Sequence, residues 1–464
     1  MFFKSNESNQ DIFTLLNRRE VKESTQKTRI KKNEKKKITI KQNQYVHGIN
    51  HSVKLPSNYY LIHTPEQFEE FITKYKVYKT LHSQAYTFID TKSTGFNPFK
   101  DSIISITIGF MDNSFFYIPI KPFKHGLSQH ISTLSLEYTM KKLSPLLEKD
   151  TLLILSNSKQ HIHALYNWCD FDITYNIFWD TEIAASLLNE NHPKGVKEWY
   201  KEYVLPRLIS NGTILNTIDR KKYMIEKTLY DQLQHHVATY FACYDIFMLK
   251  SVFEYQKRIF ENPKFNLVPI YKLFREIEMP LIAVLTTAER KGIKISEEFL
   301  SNDVKQILQT KLQSVKKEIL NYLGSTITLN NCIHPPKQQN KYNGVNKLTS
   351  TLFNINSPAH LAQKLYIDNA ILKPIMEYDK GCKSVISKLK TDRKTLIHNL
   401  SKHPVIPLIL EYRRLVKLIS SFCDSLPKEQ QGTIDNKIHP IYNSVGTKTG
   451  RMSCSSPNLK LWAA

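Results

Sequence analysis

No uninterrupted apolar run in this sequence reaches the ~18 residues that a membrane-spanning helix needs, so the chain is not expected to cross a bilayer. Its start, Met1-Phe-Phe-Lys-Ser-Asn, lacks an apolar core followed by a small-residue cleavage site, and secretion is not expected. The six cysteines (Cys169, Cys243, Cys332, Cys382, Cys423 and Cys454) contain no CxxC pair and no metal-spaced histidine. That spacing excludes a zinc ribbon and a disulfide scaffold, and suits a reducing cytoplasm. Acidic residues are also in deficit. Forty-two Asp and Glu stand against 65 Lys and Arg, giving a formal net charge of +23 and a pI near 9.5. Such an excess points to a polyanionic partner, with nucleic acid ahead of a membrane surface.

What is present is enough for two domains with flanks, since 464 residues exceed a single compact core. Residues 1–54 read as a basic flexible arm, densest at Lys31-Lys-Asn-Glu-Lys-Lys-Lys37. From Leu55 to residue 260 the pattern is mixed. Strands are expected from Tyr60 and over Thr87–Asp90, Ser102–Phe110, Ser114–Ile120 and Leu152–Leu155, with Asn113 turning a hairpin. Helices are expected over Pro65–Tyr75, His161–Cys169, Asp180–Asn189 and Tyr230–Tyr255, which together predict an α/β domain.

Residues 261–430 read as mainly helical. Pro269–Gly292 carries a stripe of Ile270, Leu273, Ile277, Leu281 and Leu285. Glu297–Gly324 repeats Leu and Val at intervals of three and four, with Lys305, Lys311, Lys316 and Lys317 on its other face. Residues 330–349 read as an inserted loop. Ser357-Pro358 caps a further helix, and another covers His403–Ser425. Lys437–Tyr442 reads as a strand, placing residues 431–464 in a third, short region.

At Thr449-Gly-Arg-Met-Ser-Cys-Ser-Ser-Pro-Asn-Leu-Lys460 the chain resembles the bacterial DNA polymerase I family, family A, whose palm begins T-G-R-L-S-S, two residues, P-N-L-Q. Further blocks in family order are Glu276-Ile-Glu-Met-Pro-Leu281 with Gly292-Ile-Lys-Ile295, Phe353-Asn-Ile-Asn-Ser-Pro358, and Ile409-Leu-Glu-Tyr-Arg413 with Lys417-Leu418. The resemblance implies an α/β ribonuclease-H-like 3′–5′ exonuclease domain over 55–260, a helical thumb over 261–430 and the start of a palm over 431–464. The stretch Leu55–Phe110 looks similar to bacteroidete-type members. It also implies primer-template DNA as partner and Mg²⁺ as cofactor. The sequence shows no flap nuclease domain and stops before the polymerase motifs, so the reading is of a truncated polymerase, with palm and fingers absent or supplied by a separate polypeptide.

The family's exonuclease site takes its acids from D-x-E on the first strand, H-N-x-K-x-D and Y-x-x-x-D. Here Tyr86-Thr-Phe-Ile-Asp-Thr-Lys-Ser-Thr-Gly-Phe96 keeps Asp90 but puts Lys92 at the glutamate. Asn157 and Lys159 are kept while His161 replaces the second aspartate, and Tyr244 replaces the last, with Cys243 there if the block shifts by one. Alternation along the strand sets Asp90 and Lys92 on one face, so an ion pair between them is expected in place of a metal. Asp245, a possible displaced acid, is expected about 100° away around its helix. Asp180 is expected to cap a helix. Among DNA-contacting positions, the resemblance carries over Arg451 beside the primer terminus, the Thr449-Gly450 turn that positions it, and Lys417. The expected residual function is DNA binding. The alternatives are a nuclease with re-sited metals, through His161 and Asp245, and a relic of an interrupted gene.

Overall fold

The computed structural model describes residues 53–121, 133–148, 151–191, 195–210, 230–328, 350–379, 384–447 and 449–457. The basic arm up to residue 52, the loop 330–349 and the residues after 457 lie outside the described residues. The chain forms two compact units: residues 1–291 with Tyr442–Cys454, and Gly292–Ile441 with Ser455–Ala464.

The first unit is built on a six-stranded sheet. Its strands are β1 (Tyr59–Leu61), β2 (Tyr86–Ser93), β3 (Ile103–Phe110), β4 (Phe115–Pro119), β5 (Leu152–Leu155) and β6 (Ile177–Asp180), in the order β1-β4-β3-β2-β5-β6. β2, β5 and β6 are parallel, as are β1 and β4, whereas β2–β3 and β3–β4 are antiparallel. Asn113 turns the β3–β4 hairpin with φ +66°. Every residue of β3 and β4 is buried, as continuous apolar runs require when both faces are covered.

One cover is α1 (Pro65–Leu81), longer than the sequence periodicity indicates. A reciprocal capping box starts it: Thr64 Oγ1 accepts from Gln67 N at 3.3 Å, and Gln67 Oε1 accepts from Thr64 N at 3.3 Å. The helices α2 (Leu136–Leu147), α3 (Ser158–Cys169) and α4 (Thr181–Leu188) follow, then the 27-residue α5 (His235–Glu261). α2 and β6 are not among the expected elements. β6 is short and flanked by polar residues, so no period emerges from its four positions.

The faces of β2 separate cleanly. Thr87 meets α1 through Tyr75, the two hydroxyls 2.9 Å apart, while Phe88 meets Phe253 of α5 with ring centroids 5.7 Å apart. Asp90 and Lys92 therefore look toward α5, and Thr91 looks the other way. Gly109 of β3 lets α5 approach closely: a Cβ there would lie 2.4 Å from Ile246 Cγ2.

Residues 268–291 are helical, ending in α6 (Met279–Lys291). The expected stripe needs correction. Leu273 and Ile277 are exposed, and the buried residues are Phe274, Met279, Ile282, Leu285, Thr286 and Glu289. A wide turn at Phe274–Glu278 adds a residue to the helical repeat and resets the phase.

In the second unit the helical run 297–323 contains α7 (Lys305–Leu323), stopped at Gly324 with φ +79°. Val315, Ile319 and Leu323 share a core with Ile409, Tyr412 and Leu415, the last three from α8 (Val405–Leu418). Two lysines of the expected basic face are engaged within this unit: Lys305 with Asp424 at 2.7 Å and Lys311 with Glu411 at 2.9 Å. The strand expected over 437–442 is shorter, at Ile441–Asn443, with Ile438 bridging to Ile293.

Candidate functional site

The carboxyl ends of the parallel strands β2, β5 and β6 lie on one side of the sheet, the place where open α/β sheets present polar side chains. At the end of β2, the Lys92 ammonium stands 2.5 Å from Asp90 Oδ2 and 2.9 Å from Asp245 Oδ2. Tyr230 donates its hydroxyl to the same Asp245 oxygen at 2.8 Å, and the ammonium lies 5.0 Å from the centre of the Tyr230 ring. The expected Asp90–Lys92 pair is thus part of a larger cluster. Burial disfavours the Lys92 charge, but the Asp245 and Asp90 carboxylates outweigh it and hold its pKa well above the ordinary lysine value.

Asp245 is the residue that reasoning from sequence places elsewhere. The rotation of α5 is fixed by the side chains it buries on the sheet, among them Ile246, Leu249 and Phe253, and this turns Asp245 to β2. Tyr244, at the matched position, instead joins an aromatic group, 6.0 Å from Tyr240 and 6.1 Å from Tyr200 between ring centres. Cys243 is fully buried, and its thiol approaches Phe115 O at 3.6 Å.

His161 reaches the cluster from α3, with Nε2 3.8 Å from Asp90 Oδ1. β5 pairs with β2 only as far as Phe88, which leaves the Thr91 amide to a side chain. It donates to His161 Nδ1 at 3.1 Å, and Thr91 Oγ1 lies 2.8 Å from the same nitrogen. A backbone N–H can only donate, so Nδ1 is the acceptor and Nε2 carries the proton, facing Ser156 O at 3.2 Å. Burial pushes the His161 pKa down, with Asp90 opposing, and the ring is neutral.

Two divalent cations would need several carboxylate oxygens converging on open space. This cleft offers two carboxylates already bridged by an ammonium, and a histidine with both ring nitrogens engaged. Among the described residues no group of three His, Cys, Asp or Glu side chains could hold a metal ion. The residues present do not fit the Mg²⁺ ions that the resemblance implies.

Asp180, at the end of β6, caps α4 through Glu182 N at 2.9 Å and Ile183 N at 3.4 Å. Its carboxylate also accepts from Ser158 N at 2.7 Å and Asn157 N at 3.3 Å, so it fastens the β5–α3 turn as well.

The DNA-contacting candidates lie in different places. Arg451 is exposed at the tip between the paired strands Ile441–Asn443 and Ser453–Ser455. Thr447 shapes that tip, its hydroxyl donating to Arg451 O at 2.6 Å, and Gly450 adopts φ +69°, a conformation that favours glycine. Thr449 is exposed beside them. Lys417 is exposed on α8 in the second unit, in a helical run that continues to Gln430.

A sheet of this order with helices on both faces, followed by a mainly helical region, is an α/β ribonuclease-H-like fold with a helical thumb-like region after it. Residues 337–461 match the family model described as DNA polymerase family A. DNA polymerase I of Helicobacter pylori J99 is 30% identical over 281 residues, covering 61% of this chain and 25% of that protein. DNA polymerase I of Borreliella burgdorferi is 23% identical, covering 82% of this chain and 36% of its own length, and that of Treponema pallidum 25% identical, covering 80% and 35%. A solved structure, the POL domain of Pol1 from M. smegmatis in complex with DNA primer-template and dNTP, superposes with a TM-score of 0.54 at 14% identity. That match covers 86% of this chain and 55% of the solved one. The chain is DNA polymerase I-like, similar to family A, and spans between a quarter and about a third of the length of these curated relatives.

Proposed function

We propose that this chain binds primer-template DNA without sequence preference, in the cytoplasm, and that its Asp90 cleft carries out no metal-dependent exonuclease chemistry. The observation that carries the second half is the Lys92 ammonium lodged between Asp90 and Asp245. A divalent ion entering there would have to displace a covalently attached cation from both carboxylates. The first half is supported by the net charge of +23, by the exposed Arg451 on its glycine turn, and by the primer-template DNA bound to the M. smegmatis polymerase domain whose fold this chain shares. Phosphate contacts of this kind give affinity that falls with salt. Fluorescence anisotropy with a labelled primer-template across a salt series of roughly 50–300 mM tests the reading. Binding at low salt that weakens steeply is expected, and no binding at the lowest salt would refute it.

A further inference from the structure

We infer that Glu289 and Lys159 form an anchor that positions the Arg451 turn by gripping the backbone of Tyr442, a proposal that rests on the DNA-binding reading above. Glu289 is a fully buried carboxylate on α6, away from the Lys92 cluster and unused by it. Its Oε1 accepts the Tyr442 N–H at 2.7 Å and contacts the Lys159 ammonium. Lys159 donates in turn to the Tyr442 carbonyl, so both backbone groups of one strand residue are held by side chains. The second carboxylate oxygen lies 2.7 Å from His163 Nε2. Burial lowers the His163 pKa against the pull of Glu289, leaving a neutral ring whose Nε2–H donates.

The platform beneath this grip is firm. Lys159 and His163 both belong to α3, one turn apart, and project toward α6. Next to Glu289, Arg290 pairs with Asp172 at 2.5 Å and covers the Tyr166 ring at 3.7 Å, fixing α6 to the residues around α3. Tyr442 begins the segment 442–454 that belongs to the first unit, and Arg451 lies nine residues further on. A buried carboxylate satisfied by an ammonium, an amide and an imidazole is costly to disturb, because removing one partner leaves the others without compensation. The arrangement gives the segment its register on the α/β unit: a strand start held by Glu289 and Lys159, and a tip shaped by Thr447 and Gly450. Glu289 and Lys159 are positioning residues, acting through Arg451.

The test uses the full chain and two variants, Glu289→Gln and Lys159→Met, with hydrogen exchange followed by mass spectrometry. Peptides covering 442–454 are expected to exchange at least ten-fold faster in both variants, while β2 and β3 peptides stay unchanged. Affinity for a primer-template is expected to fall, and adding Arg451→Ala to either variant should cost less than it does in the unaltered chain. Unchanged exchange over 442–454 in both variants overturns the anchor. Equal acceleration in the sheet peptides overturns it too, by showing a general stability effect. Additive losses with Arg451→Ala overturn the positioning role. If the unaltered chain binds no DNA, the functional reading fails and the positioning role falls with it, whatever the exchange shows.

Discussion

Replacing Lys92 by methionine removes the cation and leaves two carboxylates face to face. Asp90 Oδ2 and Asp245 Oδ2 can be no further apart than the sum of their distances to the ammonium, about 5.4 Å. At an effective dielectric of ~20 the Coulomb repulsion is about 3 kcal/mol, or about two pH units on the first proton taken up by the pair. In the Lys92→Met protein the folded pair would then bind that proton up to about pH 6, whereas carboxylates in the unfolded chain release theirs near pH 4. A group whose folded pKa is raised loses stability as pH rises through that window, so the variant should be destabilised by about 3 kcal/mol more at pH 7 than at pH 4. The unaltered chain has the opposite safeguard. Its Lys92 pKa is raised, so that contribution is present below about pH 10 and lost only above it. Urea unfolding followed by tryptophan fluorescence reads this unit, since Trp168, Trp179 and Trp199 lie within it. The midpoint of the variant should fall relative to the unaltered chain between pH 4 and 7, and millimolar Mn²⁺ should restore part of the loss only in the variant. An equal shift in midpoint at both pH values would refute the reasoning.

Single-stranded DNA incubated with Mg²⁺ or Mn²⁺ should not be shortened, and Asp90→Ala should change nothing. Shortening lost on Asp90→Ala would establish a working metal site. Arg451→Ala should reduce the slope of log affinity against log salt by about one, weakening binding to all sequences alike, as anisotropy titrations would show. Asp180→Ala removes one carboxylate from four backbone amides and should cost about 2–3 kcal/mol in urea unfolding.

Much of the α/β unit is legible in the sequence, because alternation and capping are local. Phe88, Asp90 and Lys92 fall on one face of β2 by period alone, and the helix expected over Pro65–Tyr75 is the first part of α1. The partner of Lys92 across the fold is not legible. Which face α5 turns to β2 depends on how Ile246, Leu249 and Phe253 pack, and a pattern anchored on Tyr240 carries no information about that rotation. Glu289 escapes notice for a related reason. The only local sign is an acid following the stretch Leu281–Leu285 and Thr286-Thr287-Ala288, and the residues that make it an anchor lie 130 and 153 positions away.

The wide turns at Phe274–Glu278, Phe299–Val304, Gln363–Asp368 and Ile419–Asp424 each hold one residue more than a regular helix would. Deleting a single residue within such a turn returns the backbone to the ordinary repeat and keeps the faces that follow in place, whereas the same deletion in a regular helix turns them by about 100°. In this chain the helices themselves are therefore places where a one-residue gain or loss can be absorbed. Relatives compared with it should show alignment gaps inside helices as well as in loops, with the same faces kept toward solvent and core on either side of each gap.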